Sequence, residues 1–101
     1  MKFYTVLTTE FALNDLEVGR LFYENQASLL GNYFFDALVI DIESLYFYAG
    51  IHKQEYGYYK MLSKRFPYAI YYEILDDIAR IIAILDQRSN PMYTYSQLDK
   101  R

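Results

Sequence analysis

The chain has 101 residues and no cysteine, which suits one modest core and excludes disulfides and thiolate metal centres. It is rich in amphipathic contact residues, with 13 Tyr and 7 Phe, and its pI near 5.0 is poor for docking on RNA, where phosphate neutralisation dominates affinity. The net charge of −3 is divided unevenly: residues 1–50 hold two cations against seven carboxylates, whereas residues 51–101 hold eight cations against six.

Lys2 precedes only a short apolar run, and no stretch approaches membrane-spanning length, so the expectation is a soluble cytoplasmic protein. Lys2 to Leu7 reads as a short strand. Thr8 or Thr9 then caps a helix running to about Gln26, with Glu10 placed favourably at its positive end. Ala12, Leu16, Gly19 and Tyr23 fall on one stripe of that helix, and Asp15, Glu17, Arg20 and Glu24 on its solvent side. Ser28 is the candidate cap of a second helix ending near Ala49, which buries Phe34, Leu38, Ile42, Leu45 and Ala49 and keeps Asp36 and Glu43 outside. Gly50 suits the left-handed residue that ends such a helix. So short a connection makes the two helices an antiparallel hairpin.

Three strands follow: Tyr56 to Lys64, Tyr68 to Leu75 and Ile78 to Asp86. Pro67 belongs at a strand start, Asp76-Asp77 supplies turn chemistry, and Asn90-Pro91 stops the last run. Period two buries Tyr59, Met61, Ile70, Tyr72, Ile74, Ile81, Ala83 and Leu85 against the helices. The opposite face then carries Tyr58, Lys60, Tyr71, Glu73, Arg80, Ile82, Ile84 and, past the strand, Arg88. That face is too apolar to be wholly wet, so the tail or another protein should cover it. The tail, residues 92–101, either folds back over this face or stays mobile until a partner arrives. The predicted architecture is a single α+β domain of two layers, β-α-α-β-β-β, with the helical hairpin on one face of a mainly antiparallel sheet.

Four phrases carry a family resemblance. They are Ala49-Gly50-Ile51-His52; Gly57-Tyr58-Tyr59; Lys64-Arg65-Phe66-Pro67-Tyr68-Ala69-Ile70-Tyr71-Tyr72; and Ala83-Ile84-Leu85-Asp86-Gln87-Arg88-Ser89-Asn90-Pro91. With Leu30-Gly31 in the helical hairpin, they resemble the RelE/ParE superfamily, the toxins of type II toxin–antitoxin modules, often described as plasmid stabilisation proteins. The resemblance spans residues 2 to 91 and implies a single toxin domain over 1–101, a cognate antitoxin as partner, homo- or hetero-oligomers with it, and no cofactor.

RelE-like members of the superfamily are ribosome-dependent mRNA endoribonucleases that use Lys, Arg and Tyr, sometimes with His or Glu, to orient a 2′-hydroxyl and stabilise phosphate charge. ParE-like members inhibit DNA gyrase by binding it. The catalytic candidates under the first activity are Arg88, Lys60, Arg65 and His52, with Tyr93 and Tyr95 near enough in sequence to assist. Tyr71 and Glu73 sit where a nuclease would carry basic residues, and this favours the ParE-like, protein-binding reading. Antitoxin contacts are then expected at Tyr58, Lys60, Tyr71, Arg80, Ile82, Ile84 and Arg88. A third reading is a degenerate, non-toxic interaction module.

Each candidate also has a purely structural reading. Arg88 can pair with Asp86, and Lys60 with Glu73 across the strands. His52, just past a helix end, can serve packing or capping, and the Lys64-Arg65 pair can be a solvated turn.

Overall fold

Five strands form one mixed sheet in the order β1-β5-β4-β3-β2 in a computed structural model that describes residues 2–101. β1 (Thr5–Thr8) runs parallel to β5 (Ile78–Asp86). β5 pairs antiparallel with β4 (Tyr68–Leu75), β4 with β3 (Tyr58–Leu62), and β3 with the two-residue β2 (Gln54–Glu55). Helices α1 (Glu10–Gln26) and α2 (Leu30–Glu43) and the short α3 (Leu45–Tyr48) pack on one face, while α4 (Pro91–Asp99) lies on the other. The predicted hairpin-on-sheet architecture is the one observed. β2 and α4 are additions to it.

Thr9 caps α1, its hydroxyl accepting from the Ala12 N–H at 3.3 Å, and Ala12, Leu16, Gly19 and Tyr23 are the residues α1 buries. Ser28, in contrast, does not cap α2. Residue 29 takes a left-handed conformation (φ 71°), and the Glu24 carboxylate reaches over from α1 to accept from the Leu29 N–H at 3.1 Å and the Gly31 N–H at 3.0 Å. The charged acceptor at the helix start satisfies donors that Ser28 would otherwise take. Gly31 is also where the two helices touch, since a Cβ there would stand 2.5 Å from the Arg20 carbonyl oxygen.

The second predicted helix divides at Ser44, whose hydroxyl donates back to the Asp41 carbonyl at 2.6 Å, a local bond that competes with the helical ladder. The face it buries is nonetheless the predicted one: Phe34, Leu38, Ile42, Leu45 and Ala49 are all buried. Asp41 is buried too, its carboxylate accepting from the Ser63 hydroxyl at 2.7 Å and so tying α2 to the β3–β4 connection. β3 is shorter than predicted because Tyr56 and Gly57 both have positive φ and turn the chain between β2 and β3.

The largest departure lies inside β5. Tyr71 pairs with Ala83 and Tyr72 with Ile81, so Ile82 is an extra residue, a β-bulge. Beyond it the alternation changes phase. Ile81 and Ile84 both join the helix-side core, whereas Ala83 and Leu85 join Ala69 and Tyr71 on the far side. The predicted assignment of Ala83 and Leu85 to the helix face, and of Ile84 to the opposite one, is therefore reversed; one inserted residue inverts every side chain after it.

The far face is covered by the chain itself. Asn90 caps α4 by accepting from the Met92 N–H at 2.8 Å, Pro91 opens it, and Leu98 closes over Ala69, Tyr71, Ala83 and Leu85. Of the two alternatives for the tail, it folds back. Asp15 is thereby drawn from its predicted solvent position into a nearly closed ion pair with Arg101.

Candidate functional site

Of the four catalytic candidates, two meet at one end of the sheet, where β4 begins and β5 ends. The Arg65 guanidinium donates to the Tyr33 hydroxyl at 3.0 Å, and Arg88 reaches the Tyr23 hydroxyl at 3.4 Å. Phe66 joins the two sides, its ring 5.5 Å from that of Tyr33 and 4.8 Å from that of Tyr23. Behind them lie Phe34 and the buried Tyr68, whose hydroxyl desolvation pushes up to about 12. Tyr33 and the neighbouring Phe22 are about half exposed. The result is an aromatic surface flanked by two guanidinium groups.

Arg88 already has a carboxylate partner. Two of its guanidinium nitrogens donate to Asp86, at 2.8 and 3.0 Å, and its backbone N–H donates to the same carboxylate at 2.8 Å. This bonding raises the arginine's pKa and holds the Asp86 carboxyl below its usual range, each group favouring the charged form of the other. The structural reading of Arg88 is the one the geometry adopts.

His52 and Lys60 lie elsewhere. The Gly50 N–H donates to the Tyr72 hydroxyl at 2.9 Å, and that hydroxyl stands 2.5 Å from His52 Nδ1. With its oxygen accepting from Gly50, the phenol is placed to donate its proton to the imidazole. Burial lowers the His52 pKa, in keeping with a neutral ring in a packing role. Lys60, on the face opposite the helical hairpin, pairs with Glu55 at 3.2 Å and not with Glu73 as predicted. Glu73 instead pairs with its direct cross-strand neighbour Arg80 at 3.5 Å.

The predicted partner-contact residues separate in the same way. Tyr71, Ile82 and Ile84 are 1%, 3% and 1% exposed, so the expectation that they stand open on an outer face is corrected: α4 closes over Tyr71, and the bulge turns Ile84 into the helix-side core. Tyr58 is half-buried against the α4-covered cluster, while Lys60, Arg80 and Arg88 remain at the surface, each in an ion pair.

The surface that is both apolar and open lies on the helices and along β1. Phe11, Val18 and Phe22 project from α1, and Tyr46, Phe47 and Tyr48 from α3, with Phe3 stacked on Tyr46 at 5.1 Å. Sequence reasoning missed the α3 cluster because a helix carried through to Ala49 hides the break at Ser44. The three consecutive aromatics were the available signal. Among the described residues, no helix is long and apolar enough to cross a membrane.

No family model matches the chain, and no curated protein matches it. Among solved structures, a chain of the chromosomal ParDE TA system from P. aeruginosa superposes with a TM-score of 0.74 over 81% of this chain and 94% of that one. The fold is shared. At 16% sequence identity the likeness is one of backbone and not of individual side chains.

Proposed function

We propose that this protein is the toxin of a type II toxin–antitoxin module, neutralised in the cytoplasm by a cognate antitoxin and acting by binding a protein target such as DNA gyrase. The observation that carries the reading is the fold shared with a chain of a ParDE TA system over most of both chains, together with the family phrases in this sequence. Two features favour binding over RNA cleavage. Arg88 and Lys60 are each occupied by a carboxylate, so a scissile phosphate there would have to displace an existing ion pair, and Arg65, bonded to the Tyr33 hydroxyl, is the one cationic candidate without such a partner among the described residues. His52 and Arg88 also contact different tyrosines, Tyr72 and Tyr23, and do not converge on one reacting atom. The open aromatic surfaces, in contrast, suit protein contacts.

A gyrase supercoiling assay run beside toeprinting on purified ribosomes tests the reading. Inhibited supercoiling with uncut mRNA is the expected result. Ribosome-dependent cleavage that disappears in Arg88→Ala would replace it with the endoribonuclease reading.

A further inference from the structure

Asp41 carries a charge that its place in the fold does not use. It lies in the last turn of α2 and is 4% exposed, at the helix end where the aligned peptide dipoles disfavour a carboxylate. Burial adds to that cost unless the charge is paired. No cation offsets it: neither α2 nor α3 has a basic residue in its last turn, and Asp41 belongs to none of the ion pairs among the described residues. The tie from α2 to the β3–β4 connection runs through one oxygen. Oδ2 accepts from the Ser63 hydroxyl at 2.7 Å and from the Lys64 N–H at 3.4 Å. An asparagine carbonyl oxygen would accept both bonds, so the tie needs neither the second oxygen nor the charge.

Oδ1 receives no hydrogen bond among the described residues. Among them, no side-chain oxygen or nitrogen sealed from solvent lacks a partner, so Oδ1 must open on the cleft that Asp41 lines. The cleft measures about 350 Å³ and is also lined by Ser44 and His52, with Tyr48, Ile51 and Met61 supplying less polar walls. The Ser44 hydroxyl gives its proton to the Asp41 carbonyl at 2.6 Å, which leaves its oxygen free to accept. Near neutral pH His52 brings no charge, since its Nδ1 is engaged by the Tyr72 hydroxyl and burial lowers its pKa. Lys64 borders the cleft as well, but no ion pair joins it to Asp41 among the described residues.

We propose that this cleft binds a primary alkylammonium group, with the ammonium on Asp41 Oδ1 and Ser44 Oγ and the alkyl chain along Tyr48, Ile51 and Met61. A guanidinium fits less well, because its fork seeks both carboxylate oxygens and Oδ2 is already engaged. A metal ion fits less well too, since no three His, Cys, Asp or Glu side chains gather as ligands among the described residues. A free amine and a lysine side chain present the same chemistry. The site stands independently of the proposed toxin function, and its test uses neither gyrase nor an antitoxin.

The test is an NMR titration of the whole chain with butylamine, with butanol as the uncharged control and an acetylated, amidated Gly-Lys-Gly peptide as a second arm. Saturable shifts at Asp41, Ser44 and His52 are expected with butylamine and not with butanol, and added salt should weaken them. The same shifts with the peptide would support the site and admit a lysine side chain; shifts with butylamine alone would support it for free amines. Asp41→Asn should keep the fold, because the Ser63 and Lys64 bonds survive, and should weaken butylamine binding at least roughly tenfold. Should that variant fail to fold, the comparison of butylamine with butanol on the unaltered chain still decides. Equal responses to the two, no response at these residues, or undiminished binding in folded Asp41→Asn would overturn the proposal. So would binding seen only in Lys64→Ala, since the occupant would then be the chain's own lysine.

Discussion

Asp15 of α1 and Arg101 beyond α4 form an ion pair that closes around the β5 bulge. One guanidinium nitrogen donates to Asp15 Oδ1 at 2.9 Å, and the other contacts Asp15 Oδ2 and the Ile82 carbonyl, the latter at 3.2 Å. Asp15 Oδ2 also accepts from the Ile84 N–H at 3.0 Å. The carbonyl of the extra residue and the amide two residues beyond it are therefore served by one guanidinium and one carboxylate, with side chains 7% and 11% exposed.

Removing one partner leaves a nearly buried charge and an unserved bulge. Arg101→Ala should cost about 3 kcal/mol of stability, the scale of breaking a buried pair, read as a lower urea midpoint with little change in slope. The double variant Asp15→Asn, Arg101→Leu should recover part of that loss. Equal stability of wild type and Arg101→Ala would show that the pair holds nothing in place.

The cap of α2 gives a paired comparison. Glu24→Ala should cost about 1 kcal/mol, the value of a lost N-terminal cap, because the Leu29 and Gly31 amides lose their acceptor. Ser28→Ala should change stability within about 0.5 kcal/mol, as surface substitutions do. The reverse ranking in thermal unfolding would restore Ser28 as the cap.

Gly31→Ala is expected to be worse than either. The added methyl would meet the Arg20 carbonyl oxygen at 2.5 Å and the Glu24 Cβ at 2.9 Å, both fixed parts of α1. Overpacking of this kind costs about 1–3 kcal/mol, and an unchanged melting temperature would mean that the two helices can part freely.

Much of this fold is legible in the sequence, and what is not has a physical cause. The strands Tyr68–Leu75 and Ile78–Asp86 and the stripe of α1 follow from period and turn chemistry alone. Strict alternation, however, has no term for an extra residue, so the faces of Ala83, Ile84 and Leu85 are misread downstream of Ile82. The role of Asp15 is hidden for a related reason: a carboxylate on the polar side of a helix acquires a partner only when α4 folds back. Arg88 is half legible, since Asp86 two residues earlier marks its ion pair, while its neighbour Tyr23 lies far off in sequence.

The pH response should carry the signature of His52. Burial lowers its pKa from the ordinary value of 6.5, so the unfolded chain binds the proton more readily than the folded one. The contribution is fully present above that ordinary value and is lost as pH falls from about 6.5 through the lowered folded value. His52→Gln should flatten this part of the stability–pH curve while leaving the alkaline side unchanged, and equal slopes in both proteins would remove His52 from the account.

The most direct measurement of the central claim is growth of a bacterial host on induction of this chain, with and without the small open reading frame adjacent to its gene. The account predicts arrest on induction alone, relief when the neighbour is co-expressed, and arrest undiminished in Arg88→Ala. Unimpaired growth with the folded protein present would contradict it.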